Sequence, residues 1–98
     1  MYEVIFAPEA EAQLIDLYCY IATAKSPEIA EKYTEAIVSQ CESLSSFPNR
    51  GNKRDDIRPG LRVFGFRRRV AIAFQVDQNS VTILGIYYGG RNLESAPD

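Results

Sequence analysis

Arginine is the residue type in this sequence best placed to do chemistry. Arg62, the run Arg67-Arg68-Arg69 and Arg91 all fall at or near the ends of apolar segments. A guanidinium is a planar fork of donors that suits phosphate or carboxylate. The partners that would turn such cations into a catalytic site are missing. There is no His, which removes Ser-His-Asp and Cys-His nucleophile systems, His-ligated zinc and the usual neutral-pH acid–base group. Cys19 and Cys41 are the two thiols, and two thiols cannot complete a four-ligand zinc site. Both are expected to be reduced and buried. No metal, cofactor or catalytic residue is expected.

The charge is divided along the chain. Residues 1–49 carry two bases against eight acids, and residues 50–98 carry nine bases, eight of them Arg, against five acids. Such asymmetry reads either as a basic face with an anionic partner or as two halves that neutralise each other within one fold.

These residues must be positioned by the elements around them. Residues 2–6 alternate and are rich in β-formers, so they read as a strand. Pro8 followed by Glu9 and Glu11 opens a helix, since proline suits the first position and acids suit the first turn. Leu14, Leu17, Tyr18 and Ile21 mark its buried stripe. Ser26 as N-cap with Pro27 starts a second helix. Ala30, Tyr33, Ile37, Cys41 and Leu44 form its stripe, and Phe47-Pro48 ends it. The two helices should form an antiparallel hairpin. Residues 49–60 are polar and read as loop. Leu61–Phe66 and Val70–Val76 read as strands. Asp77 to Ser80 is turn chemistry leading into a strand at 81–88. That last strand is apolar on both parities with Gly85 inside, which predicts a central strand or a bulge.

The order is β-α-α-β-β-β. It predicts an α+β domain over 1–93, with a helix hairpin on one face of a mostly antiparallel sheet of four strands, and a loose tail at 94–98. The longest strongly apolar run, Val70-Ala71-Ile72-Ala73-Phe74, is far short of the ~20 residues a membrane helix needs. No apolar h-region follows a basic N-terminus, so a cytoplasmic protein is expected.

The sheet face away from the helices would be floored by Ala71 and Ala73. Arg62, Arg67, Arg68, Arg69 and Arg91 would lie on or near the rim of that groove and contact a partner. Other roles for them stay open. The Arg67-Arg68-Arg69 run suits a solvated turn, Arg62 can pair with Asp55 or Asp56 in its own loop, and Arg91 can close the sheet end. Tyr20 and Val38 fall on the polar sides of their helices. They read either as isolated exposed apolar groups or as the docking site of a partner's amphipathic helix. Tyr87-Tyr88 suits sheet core with a wet hydroxyl, or base stacking.

An ordered set of short pieces runs through almost the whole chain. Ser26-Pro27 with Ala30 and Tyr33 opens the second helix, then come Leu44, Phe47-Pro48 and Gly51. Pro59-Gly60-Leu61-Arg62 follows, then Val70–Val76 ending in Asp77, then Val81-Thr82-Ile83-Leu84 leading to Gly89-Gly90-Arg91. In this pattern the sequence resembles the ParE branch of the RelE/ParE superfamily, the small toxins of toxin–antitoxin and plasmid-stabilisation modules. The resemblance implies a toxin that binds and inhibits DNA gyrase and is neutralised by a cognate, ParD-like antitoxin, with DNA reached only through the antitoxin. The alternatives are a ribosome-dependent mRNA endonuclease of RelE type and a non-toxic, antitoxin-binding relic.

Residue comparison favours the first. The Arg that RelE-type nucleases carry early in the penultimate strand falls on Ala71, and their tail Tyr would fall near Pro97. The Arg after the last strand is matched by Arg91. RNA cleavage by 2′-OH attack needs a base as well as cations. A Tyr near pKa 10 is a poor base unless its surroundings lower it. The ending also differs from the common ParE one, where a His often stands at Tyr88 and an Asp at Asn92.

Overall fold

The computed structural model describes residues 1–89; Arg91 and the tail at 94–98 lie outside them. β1 (Glu3–Phe6) leads into α1 (Pro8–Ala24), α2 (Pro27–Glu42) and a 3-10 turn at Ser43–Ser45. Then come β2 (Asn52–Lys53), β3 (Leu61–Phe66), β4 (Val70–Val76) and β5 (Ser80–Tyr88). The sheet order is β1-β5-β4-β3-β2, with β1 parallel to β5 and the other pairs antiparallel.

The helix starts follow the local chemistry. Pro8 opens α1 with no side-chain cap on Ala7. Ser26 Oγ accepts the Ile29 N–H at 3.2 Å at the start of α2. That bond satisfies one of the backbone donors a helix start leaves orphaned.

The sheet has five strands, one more than the sequence predicts. The addition is β2, two residues inside the expected loop, paired as Asn52 with Val63 and Lys53 with Arg62. A segment this short and polar carries no alternation to read. β5 lies between β1 and β4 and also carries a bulge: Ala73 pairs with Gly85 but Phe74 pairs with Ile83, which leaves Leu84 over. One extra residue explains why both parities of this strand are apolar.

The core lies between the hairpin and one sheet face. Ala10, Leu17 and Ile21 of α1 and Ala30, Ile37 and Cys41 of α2 meet Phe64, Ile72, Phe74, Val81 and Ile83. Cys41 is buried as expected but Cys19 is exposed. Cys19 stands two residues from buried Leu17, about 200° round the helix, so the same stripe that hides Leu17 exposes it. Tyr18, expected in that stripe, is 37% exposed and faces the open side of the hairpin. No described helix is long and apolar enough to cross a membrane.

Candidate functional site

The arginine run sits on the tight link between β3 and β4. Arg67 and Arg68 have φ of 51° and 65°, a left-handed conformation that costs a non-glycine residue about 1–2 kcal/mol. This turn brings the Arg67 guanidinium over two rings, 4.9 Å from the Phe66 centroid and 5.5 Å from that of Tyr33. The rings continue as a chain across four elements. Tyr33 meets Phe66 at 6.1 Å and Tyr88 at 6.0 Å, both edge-on, and Tyr88 meets Tyr20 at 5.9 Å. These spacings are those of favourable aromatic pairs. Burial pushes the Tyr33 hydroxyl above its ordinary pKa, and Tyr88 adds to the rise. Arg67 and Arg69 pull the other way but do not overcome it.

The aromatic chain borders a cavity of about 280 Å³ lined by Gln13, Asp16, Leu17, Tyr20, Ile86 and Tyr88 among others. β1 ends at Phe6, opposite Ile83, so among the described residues the far half of β5 has no strand on that side. Gln13 of α1 fills part of the gap: its Oε1 accepts the Ile86 N–H at 2.7 Å.

Arg62 is not on the rim of the alanine floor. It pairs with Phe74 across β3 and β4, and its face is that of Phe64 and Ile72, whereas Ala71 and Ala73 occupy the other face. Its fork donates to the backbone carbonyls of Asn49 (2.6 Å), Arg50 (3.1 Å) and Gly51 (3.4 Å). Nor does it pair with its own loop's acids. Asp56 accepts from Arg54 Nε and Nη2, at 3.0 and 2.9 Å, and Asp55 accepts the Gly60 N–H. The Arg54 fork holds the Asp56 carboxyl below its usual pKa. Arg50 completes this bracing. It lies 4.7 Å over the Phe64 ring and donates to Ser43 Oγ and Gln40 Oε1.

The expected single groove edged by arginines therefore does not form among the described residues. Arg62 and Arg67 lie on the helix side of the sheet, and Arg68 and Arg69 are exposed at the turn. Strand parity is the cause: Arg62, Phe64 and Phe66 alternate onto one face. The alanine floor itself is partly filled. Ala73 is 3% exposed, and the Tyr87 ring lies over Gly85, where a Cβ would meet the Tyr87 hydroxyl at 2.6 Å. Tyr88 belongs instead to the aromatic chain.

Tyr20 and Val38, considered together from sequence, occupy different places. Tyr20 is 60% exposed in the aromatic chain. Val38 is half-buried in a second depression, about 460 Å³, along the solvent side of the α1–α2 seam. The aromatic chain itself was missed from sequence. Tyr20, Tyr33, Phe66 and Tyr88 are scattered through the chain, and only tertiary packing joins them. No cluster of three or more metal-ligating side chains occurs among the described residues.

Comparison with known proteins agrees with the architecture. A structure described as the chromosomal ParDE TA system from P. aeruginosa superposes with a TM-score of 0.79 at 28% identity, covering 90% of this chain and 96% of that one. The YoeB–YefM complex from Staphylococcus aureus matches with a TM-score of 0.55 at 16% identity over 91% of this chain and 98% of that one, which speaks for the fold alone. Toxin ParE3 of Caulobacter vibrioides is 35% identical over 66 residues, 67% of this chain. The chain spans 65% of that relative's length. A family model described as ParE toxin of type II toxin-antitoxin system, parDE, matches residues 4–93. With nearly its whole length inside that match, the chain belongs to the ParE toxin family.

Proposed function

We propose that this protein is the toxin of a type II toxin–antitoxin pair, that it acts in the cytoplasm by binding and inhibiting DNA gyrase, and that a ParD-like antitoxin neutralises it. It is not an enzyme on this reading. Family membership supports the toxin and the antitoxin partner. One observation carries the choice of binding over catalysis: Tyr33, the tyrosine whose ring lies under the Arg67 guanidinium, keeps its proton at neutral pH. Burial and Tyr88 raise its pKa, and Arg67 meets the face of its ring. A group held protonated is a poor general base for 2′-OH attack. The arginine-edged groove no longer contributes, because Arg62 is engaged with backbone carbonyls and Arg67 lies over the Phe66 and Tyr33 rings on the helix side of the sheet.

The test is a supercoiling assay with purified gyrase. Addition of this protein should suppress supercoiling, and adding the antitoxin should restore it. Full gyrase activity at a large molar excess, together with codon-phased mRNA cuts in cells making the protein, would replace the inhibitor reading with the nuclease one. Arg91, matched by the family pattern, is the first residue to substitute in that assay.

A further inference from the structure

We infer that the cavity between α1 and the end of β5 is a binding site for a guanine nucleotide, with the base inside and the phosphate at the mouth. The cavity has a volume of about 280 Å³, near the lower bound of small-molecule sites. That size suits a base and leaves sugar and phosphate outside. Leu17 and Ile86 give it an apolar lining, and Tyr20 and Tyr88 give it rings. The two rings meet at 5.9 Å. Tyr20 is 60% exposed, so it offers ring surface on which a base can stack. Ala71 and its partner Tyr87 lie on the other face of the sheet, so this cavity is separate from the place where RelE-type nucleases carry their strand arginine.

Hydrogen-bond polarity decides which base. Gln13 and Asp16 both line the cavity, and their spacing of three puts them on one face of α1. Gln13 Oε1 already accepts the Ile86 N–H at 2.7 Å, so its Nε2 is the group left to donate. Among the described residues the ion pair is Arg54 with Asp56, and no hydrogen bond there reaches the Asp16 carboxylate. The wall therefore offers one donor beside a carboxylate acceptor. Guanine has the matching edge, an O6 acceptor followed by the N1–H and N2–H donors. Adenine and cytosine would set a ring-nitrogen lone pair against the carboxylate, and uracil would set a carbonyl there. An ammonium or guanidinium ligand would also satisfy Asp16, but the mouth opposes it. The Arg69 carbonyl accepts the N–H of Gly89 at 3.0 Å, and Gly89 lines the cavity. The arginine turn thus stands at the opening, with Arg68 and Arg69 exposed. Guanidiniums placed there repel a cation and attract phosphate. The inference stands whether or not gyrase is the target.

The experiment titrates the whole protein with GDP, ADP and guanosine by isothermal titration calorimetry. GDP should bind at least about tenfold tighter than ADP, because a site built to pair with one base edge rejects the mismatched one. GDP should also bind tighter than guanosine, by a margin that shrinks as salt rises. Arg69→Ala should weaken GDP about two- to fivefold, the worth of an exposed ion pair, and leave guanosine unchanged. Asp16→Asn is the sharpest variant. It keeps one acceptor and gains one donor, so it should move the preference from GDP to xanthosine diphosphate, whose C2 carries an oxygen in place of the amine. Far-UV circular dichroism should stay native, and a structural role for Asp16 would not produce that exchange. A further titration uses short single strands with and without one guanosine. A strand that binds tighter than GDP, and only with its guanosine, would support the same base site and identify nucleic acid as the source of the base. Equal affinity for GDP and ADP, a GDP preference that survives Asp16→Asn, or no binding at millimolar GDP would each overturn the proposal. So would strands that bind equally well without guanosine.

Discussion

The arginine-rich sheet half and the acid-rich helical half handle their charges in opposite ways. In the sheet half several guanidiniums turn inward or along the surface. Arg62 holds three carbonyls, Arg50 and Arg67 lie on rings, and Arg54 grips Asp56. In the hairpin the carboxylates of Glu35 and Glu42 stand exposed beside an apolar seam. A count of charge by halves points to the basic half as the binding face. The structure shows much of that charge already engaged, and leaves the open electrostatics on the acidic side. Charge that braces a fold is unavailable to a partner unless the fold gives it up.

The strongest break of this contrast is at the loop that Arg62 holds. Gly51 has φ of 75°, and a Cβ there would sit 2.3 Å from the Val63 carbonyl oxygen. Strain and clash act together, so Gly51→Ala should cost about 3 kcal/mol. Urea denaturation measures it. A loss under about 1 kcal/mol would mean that the 49–51 segment is not held against β3 as described.

Removing the brace itself comes next. Arg62→Ala leaves the Asn49 and Arg50 carbonyls without their donor and should cost about 2 kcal/mol, since bonds to charged groups are the stronger kind. Arg62→Lys should recover little of this, because a single ammonium cannot reproduce the fork. Glu35→Gln and Glu42→Gln should each change stability by no more than about 0.5 kcal/mol. If the glutamates proved as costly as Arg62, the division between bracing and open charge would fail.

The same contrast marks how far sequence reading reached. The helix starts at Pro8 and at Ser26-Pro27 were legible because capping is local chemistry. The buried face of β4 was legible because alternation is local, and Gly85 beside an apolar strand correctly signalled the bulge. The facing of Arg62 was one step harder. Parity groups it with Phe64 and Phe66, but the β3–β4 register is needed to place that group on the face of buried Phe74 and Ile72. The aromatic chain from Tyr20 to Phe66 was out of reach, since each of its contacts joins residues far apart in sequence. Cys19 was misread because burial was assigned from residue type rather than from its place opposite Leu17.

Inside the hairpin, alkaline pH separates the buried side from the open one. Burial pushes the Cys41 thiol up to about 12 from an ordinary 9.0. Between those values the unfolded thiol has lost its proton and the folded one keeps it, so the folded state binds more protons and stability falls as pH rises. At pH 10.5 the loss should reach about 2 kcal/mol relative to pH 7.5, measured by urea titration at both values. Cys41→Ala, though less stable at the outset, should flatten most of that slope. Cys19 provides the internal control, because a thiol reagent should modify it at once and reach Cys41 only as the protein unfolds. Two thiols reacting together in the native state would refute the burial of the inner face.

The smallest effect bears on why this turn carries arginine at all. Arg67 and Arg68 both occupy left-handed backbone, yet only Arg67 has visible compensation, over Phe66 and Tyr33. Arg68 makes no hydrogen bond or ring contact with the described residues. Glycine would relieve about 1–2 kcal/mol of left-handed strain and return about 0.4–1 kcal/mol through a freer unfolded chain. Arg68→Gly should therefore stabilise the protein by about 0.5–1 kcal/mol, a rise of a few degrees in Tm for a domain of this size. Arg67→Gly should gain nothing, because the same relief is offset by a lost cation–π contact of about 1 kcal/mol. A strained, exposed side chain without a partner among the described residues is a candidate for contact with another molecule. Growth arrest retained in full by the more stable Arg68→Gly variant would show that its guanidinium is dispensable to the toxin. Arrest lost from that variant would place one functional cation on the sheet half, and would limit the contrast between the halves to Arg50, Arg54, Arg62 and Arg67.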